Sequence, residues 1–293
     1  MTVREPSEGA AAGGAERQCK RRSRYRSFLW AATAFCALLA LVCFVLWRSD
    51  LSEIRERVGE AVDPAAAPSV RMQQSLAFLR DRVGYGRHDD YFLVPFLRFL
   101  KPTALQVLEH GGDCAYRGRA LVVILGQLDV EAGKLALYDA SGEAVHAVVR
   151  VHTEKGPYVI DPLFNIIHQD ERGDPIPLAR LEQDPAVLAT SVARAAAGGN
   201  PRAARYPLDR YGFGDVRTIN WNKSGLMRFL YGFVSGLIGK EQADTLPRPY
   251  MSEEPALMTM AFAGAGAATS LALLGISSLL RRRRRRRDYE GGS

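Results

Sequence analysis

Two long runs without a charged residue, one near each end, set the frame for this chain. Phe28 to Trp47 is twenty residues long and Pro255 to Leu280 is twenty-six. At 1.5 Å per residue, about twenty apolar residues in a helix cross the hydrocarbon core of a bilayer. Trp30 and Trp47 stand near the ends of the first run, where interfacial indoles are favoured. The second carries Gly264, Gly266 and Gly275, small residues that let membrane helices approach closely. The division expected is a basic tail over 1–27, a span over 28–47, a stalk over 48–68, a folded domain over 69–254, a second span over 255–280 and an Arg-rich tail over 281–293.

Charge sets the orientation. The formal charge is +7, but residues 1–27 carry seven Lys/Arg against three Glu, and residues 281–293 carry seven Arg against Asp288 and Glu290. The remainder is slightly acidic, so no basic groove for nucleic acid is expected along a folded domain. Arg17, Lys20, Arg21, Arg22, Arg24 and Arg26 precede the first run, and Arg281 to Arg287 follow the second. Positive flanks stay on the cytoplasmic side. The expected location is therefore the plasma (inner) membrane, with both termini cytoplasmic and the intervening domain outside. A cleaved signal peptide is the competing reading of the first run. Arg48, Ser49 and Asp50 follow it in place of a small-x-small cleavage site.

Four cysteines are present. Cys19 belongs to the first tail, and Cys36 and Cys43 to the first apolar run. Cys114 alone belongs to the body, so it has no partner there for a disulfide, and an unpaired thiol outside the cytoplasm calls for a reactive role. Its surroundings agree. Gly111-Gly112-Asp113 is a turn ending in a good N-cap residue, and Cys114 to Leu128 has helical character. A cysteine in the first turn of a helix gains thiolate stability from the amides and dipole there.

Further on, Lys134 to Tyr138, Ala144 to His152 and Pro157 to Asp161 read as strands separated by turns at Asp139 to Glu143 and Thr153 to Gly156. Helix, strand, strand, strand is an α+β order, an antiparallel sheet with the Cys114 helix packed on it. If Thr153 to Gly156 is the loop, His152 pairs with Pro157 and Asp161 falls opposite Val148, on the face of His146 and one diagonal step away. A loop one residue shorter or longer sends Asp161 to the other face. Outside this stretch, Ser69 to Val83 has helical spacing, Gly84 to Gly86 is a turn, and Pro185 to Ala197 is a helix. Ser224 to Ile238 reads first as a core helix, with a place on the bilayer surface as the alternative.

Gly-Gly-Asp-Cys114 leading a helix, a strand with His146, and Gly156-Pro157-Tyr158-Val159-Ile160-Asp161-Pro162 together resemble the transglutaminase-like superfamily, and within it membrane-anchored bacterial cysteine enzymes. The resemblance covers residues 105–165 and implies a papain-like core. It also implies Cys114 as nucleophile, His146 as general base and acid, and Asp161 as its orienting carboxylate. Ala147 stands where the family often has an aromatic residue. Candidate oxyanion donors are the Cys114 amide and the side chain of Gln106. The function implied is acyl transfer on amide bonds of a protein or peptide substrate, by hydrolysis or crosslinking. The alternative is a non-catalytic module that binds or assembles with an envelope complex. His110 and His152, near the site in sequence, and His88 and His168, in polar loops, have solvent roles by default. No cofactor or metal is expected, because His146, His152 and His168 lack a ligand spacing.

Overall fold

The computed structural model describes residues 8–84, 91–98 and 100–290; the expected turn at Gly84 to Gly86 lies mostly outside them, and His88 wholly so. In chain order the elements are α1 (Glu8–Gly59), α2 (Pro68–Arg82), α3 (Ala104–His110), α4 (Cys114–Gln127), β1 (Ala132–Tyr138), β2 (Ala144–Thr153), β3 (Gly156–Asp161), β4 (Ile166–His168), α5 (Leu178–Gln183), α6 (Pro185–Ala197), β5 (Val216–Arg217), α7 (Gly225–Ile238), α8 (Lys240–Asp244) and α9 (Pro255–Glu290). The chain forms two units, Met1–Leu46 with Leu257–Ser293, and Trp47–Ala256.

α1 and α9, whose greater part makes the first unit, carry two stretches, Arg24–Gly59 and Pro255–Arg283, that are long and apolar enough to cross a membrane. Their apolar side chains are largely exposed, among them Phe28, Phe35 and Phe44 of α1 and Phe262 and Ile276 of α9. Where the two helices approach, a Cβ added to Gly266 would stand 3.1 Å from Cys36 Sγ. A small residue is what such an approach requires.

The second unit is a mixed helix and antiparallel-sheet domain. Its sheet has the order β4-β3-β2-β1-β5. β2 lies at the centre, and both of its faces are apolar: Val148, Val149 and Val151 are fully buried. Val149 and Val151, with Tyr158 and Ile160 of β3, pack under Leu121, Val123 and Ile124 of α4 and Met72 and Leu79 of α2. Val148 and Val159 face the other way, into a layer with Leu181 of α5, Leu188 and Val192 of α6, Tyr206 and Phe213. Each fully buried aliphatic side chain contributes about 1.5–3 kcal/mol, so the β2–β3 hairpin is held from both sides.

The expected register is the observed one. His152 pairs with Pro157 and Val149 with Ile160. The turn is tighter than expected, since Thr153 and Gly156 themselves pair and Glu154-Lys155 makes the reversal; Gly156 takes φ +111° there. Pairing between β2 and β3 ends at Val149, while β2 continues alongside β1 to Ala144 across a register shift next to Leu137. The strands therefore part just beside His146 and Asp161.

Three expectations are corrected. Residues 51–60, read as a short charged helix or stalk, are helical up to Gly59 as the end of α1 but are not a free stalk: Leu51, Ile54, Val58 and Val62 join the core with α2 and α4. α7 is not a core helix, because none of its residues is buried. His168 does not sit in a polar loop but in β4, fully buried against Ser191 of α6, 3.2 Å away. α3, β4, α5, β5 and α8 are elements that periodicity and turns did not predict.

Candidate active site

The turn before Cys114 is built for one backbone path. Gly111 takes φ +90°, a conformation that favours glycine. A Cβ on Gly112 would come 2.7 Å from Tyr116 Cβ. Asp113 then caps α4, its carboxylate accepting from the Tyr116 amide at 3.0 Å. Arg117, completely buried, donates to the Gly112 carbonyl at 3.0 Å and to the carbonyls of Val83 and Gly84 at 2.8 and 2.6 Å. A buried guanidinium needs such acceptors, and here they fix the turn that delivers Cys114 to the first residue of α4. Cys114 is half-buried with a free thiol.

His146 and Asp161 meet as the register requires. His146 Nε2 lies 2.5 Å from Asp161 Oδ2, and both side chains are buried. The other carboxylate oxygen, Oδ1, accepts from the backbone N–H groups of Leu163 and Phe164 at 2.9 and 3.0 Å. These bonds hold the carboxylate's angle independently of the imidazole. Tyr211 stacks on the imidazole, centroids 4.2 Å apart and planes 5° from parallel, and Phe164 tilts against it at 5.9 Å. With Nε2 committed to Asp161, Nδ1 is the ring nitrogen left for the thiol. It is buried, and Cys114 is the group that interacts with the ring besides Asp161. Burial alone would discharge the imidazole, yet the Asp161 charge and hydrogen bond, reinforced by Cys114, push its pKa up to about 10.

Cys114 and His146 line one cleft of about 330 Å³, which also takes in five cations, Lys101, Arg119, Lys134, Lys223 and Arg248, and the carboxylate of Asp113 among neutral and apolar residues. Glu253 lies fully buried behind it. Lys134 Nζ approaches its Oε2 at 2.9 Å, Arg119 Nε the same oxygen at 3.5 Å, and Arg248 Nε its Oε1 at 2.6 Å. Burial disfavours the Glu253 charge, but the three cations overcome it and hold its pKa down to about 2. Lys134 is lowered to about 8 by burial, which the Glu253 charge only partly offsets.

Of the residues singled out in the sequence, Cys114, His146 and Asp161 come together, and Gln106 does not. Its side-chain oxygen accepts from the Thr103 amide at 2.9 Å, while Thr103 Oγ1 accepts from the Gln106 amide at 3.2 Å. Gln106 thus closes a capping box on α3, and the cleft lining does not include it. The Cys114 amide remains the oxyanion candidate. His110 and His152 are exposed. Tyr211, Phe164 and the Glu253 cluster were not visible in the motif.

The second unit thus defines a class: an α+β domain with a cysteine at a helix start and a buried His–Asp pair from adjacent strands. Compared with family models, curated proteins and solved structures, the chain gives no match to a family and no significant match to a protein or a structure.

Proposed function

We propose that this chain is a membrane-anchored, transglutaminase-like cysteine enzyme that transfers acyl groups from amide bonds outside the cytoplasm. The observation that carries the reading is the 2.5 Å contact of His146 Nε2 with Asp161 Oδ2 on the cleft that holds Cys114. A charged imidazole beside a thiol stabilises the thiolate, and the buried carboxylate fixes the ring and its charge.

In the proposed reaction the Cys114 sulfur attacks the amide carbonyl carbon and the carbonyl electrons move onto oxygen. The Cys114 amide at the start of α4 is the proposed donor to that oxyanion. As the intermediate collapses, the C–N bond breaks and His146 gives its proton to the leaving amine. A thioester remains. Water, or a second amine, then attacks it, giving its proton to His146, and the thiolate leaves. With water the product is an acid; with an amine it is a new amide. The two apolar helices and their Lys/Arg flanks support anchoring with both tails in the cytoplasm.

The test is labelling of intact cells with a membrane-impermeant thiol probe. The expected result is strong labelling of the wild-type chain at Cys114, none in Cys114→Ala, and weak labelling in His146→Ala. Equal labelling with and without Cys114 overturns the reading.

A further inference from the structure

The cleft beside the thiol holds more positive charge than the protein neutralises. Arg119, Lys134 and Arg248 converge on the single carboxylate of Glu253. Lys101 and Lys223 line the same cleft, and among the described residues neither has an ion pair with a carboxylate. Lys101 rests over the Tyr116 ring, 5.3 Å from its centroid. The Asp113 carboxylate also lines the cleft, caps α4 and offsets part of the charge at Lys101, leaving five cations against the carboxylates of Asp113 and Glu253. Both lysines are held below the ordinary lysine range. Desolvation is the first cause for each; at Lys101 the charges of Arg119 and Arg248 add to it against that of Asp113, and at Lys223 those of Lys101, Arg248 and Arg119 add to it against that of Glu253. Unmatched like charges crowded at a confined site are costly, and such a site attracts an anion.

We infer that Lys101 and Lys223 receive an anionic group of the substrate, so that the cleft selects amides carrying a carboxylate or a phosphate next to the reacting carbonyl. The inference rests on the acyl-transfer reading and names its substrate class. Glu253 acts at one remove, holding Lys134, Arg119 and Arg248 in the wall.

Iodoacetate and iodoacetamide test it, since both alkylate a thiol with loss of iodide and differ in one negative charge. The full chain in nanodiscs is treated with each, peptide mapping separates Cys114 from Cys19, Cys36 and Cys43, and the rates are compared with those of glutathione. The expected iodoacetate-to-iodoacetamide ratio at Cys114 exceeds that of glutathione by roughly tenfold, the lower range of electrostatic focusing in a charged cleft. The ratio falls toward that of glutathione in Lys101→Met/Lys223→Met. A wild-type ratio equal to that of glutathione, or one unchanged in the double variant, overturns the inference. The iodoacetamide rate alone reads the acyl-transfer proposal: a Cys114 no faster than glutathione overturns that proposal, while the ratio still reports the charge of the cleft. Protection of Cys114 by acetate or by inorganic phosphate, whichever acts at lower concentration, distinguishes carboxylate from phosphate. Protection by neither overturns the site.

A separate observation concerns α7. Leu226, Phe229, Phe233 and Leu237 are 61–72% exposed, and the helix buries no residue. Its only charge is Arg228, Lys240 follows it, and a long apolar helix begins at Pro255. An apolar helix with basic residues at its margins fits the headgroup–acyl boundary of a bilayer, and this chain carries two stretches suited to holding it at one. We infer that α7 lies in the lipid interface. Photolabelling of the full chain in nanodiscs with a diazirine phospholipid is expected to mark residues 225–238 as well as the two long apolar helices. Label on the two helices with none on α7 overturns the inference.

Discussion

Asp161 sets the state of His146 while its own position is held by two backbone N–H groups on one oxygen, the other oxygen meeting the imidazole. The raised His146 pKa carries a sign for stability. The protonated form is the one favoured by folding, so its contribution is complete below the ordinary histidine value of about 6.5 and is lost as pH rises through about 10. Asp161→Asn removes the main source of that shift and leaves burial dominant. Imidazole chemical shifts are expected to show His146 charged well above neutrality in the wild type and neutral there in Asp161→Asn. Titration of the wild-type ring near 6.5 contradicts the pairing. Acyl-transfer turnover in the same variant is expected to fall by about 10²–10⁴-fold, the range associated with a positioned acid–base group. The His146–Asp161 pairing was legible in sequence because a short turn fixes the parity of a hairpin. Tyr211 and Phe164 were not. Tyr211 lies sixty-five residues beyond His146 in an irregular segment, and only the packed fold brings it onto the ring.

At the scale of elements, the site depends on how α4 begins. Gly112→Ala forces a Cβ into Tyr116 Cβ, and such overpacking costs about 1–3 kcal/mol. A lower urea midpoint is the expected outcome, with loss of Cys114 reactivity in the fraction that remains folded. Unchanged stability and reactivity contradict the role of the turn. Glu253 makes a second element-scale case. Its carboxylate pKa is depressed, so its contribution is present above the ordinary value of about 4.5 and is lost as pH falls through about 2. Glu253→Gln leaves three buried or half-buried cations without their counter-charge, and breaking a buried pair in this way costs about 3–5 kcal/mol. Thermal unfolding is expected to show that loss at neutral pH and a flatter acid limb. α2, α4, α6 and the three central strands were legible from periodicity and turns. α3 was missed because seven residues give too little period, although Thr103 and Gln106 hold the spacing of a capping box. β4 and β5, three and two residues long, gain their pairing from neighbours and leave almost no pattern of their own.

For the whole molecule, the two apolar helices and their basic flanks were readable from composition alone, since span length and charge bias are properties of the sequence. The inclusion of residues 48–62 in the core was not. Leu51, Ile54 and Val58 follow helical spacing, but only the presence of α2 and α4 turns that stripe inward. The proposed topology predicts that epitope tags at both termini are protected from protease added to right-side-out vesicles, while the body between the spans is cut. A terminal tag digested in sealed vesicles contradicts it. Reactivity of the thiol decides the account as a whole. The most direct measurement is the rate of Cys114 alkylation by iodoacetamide at neutral pH, in the wild-type chain and in His146→Ala. The account predicts a rate above that of glutathione in the wild type and loss of that excess in the variant. Equal rates in the two proteins contradict it.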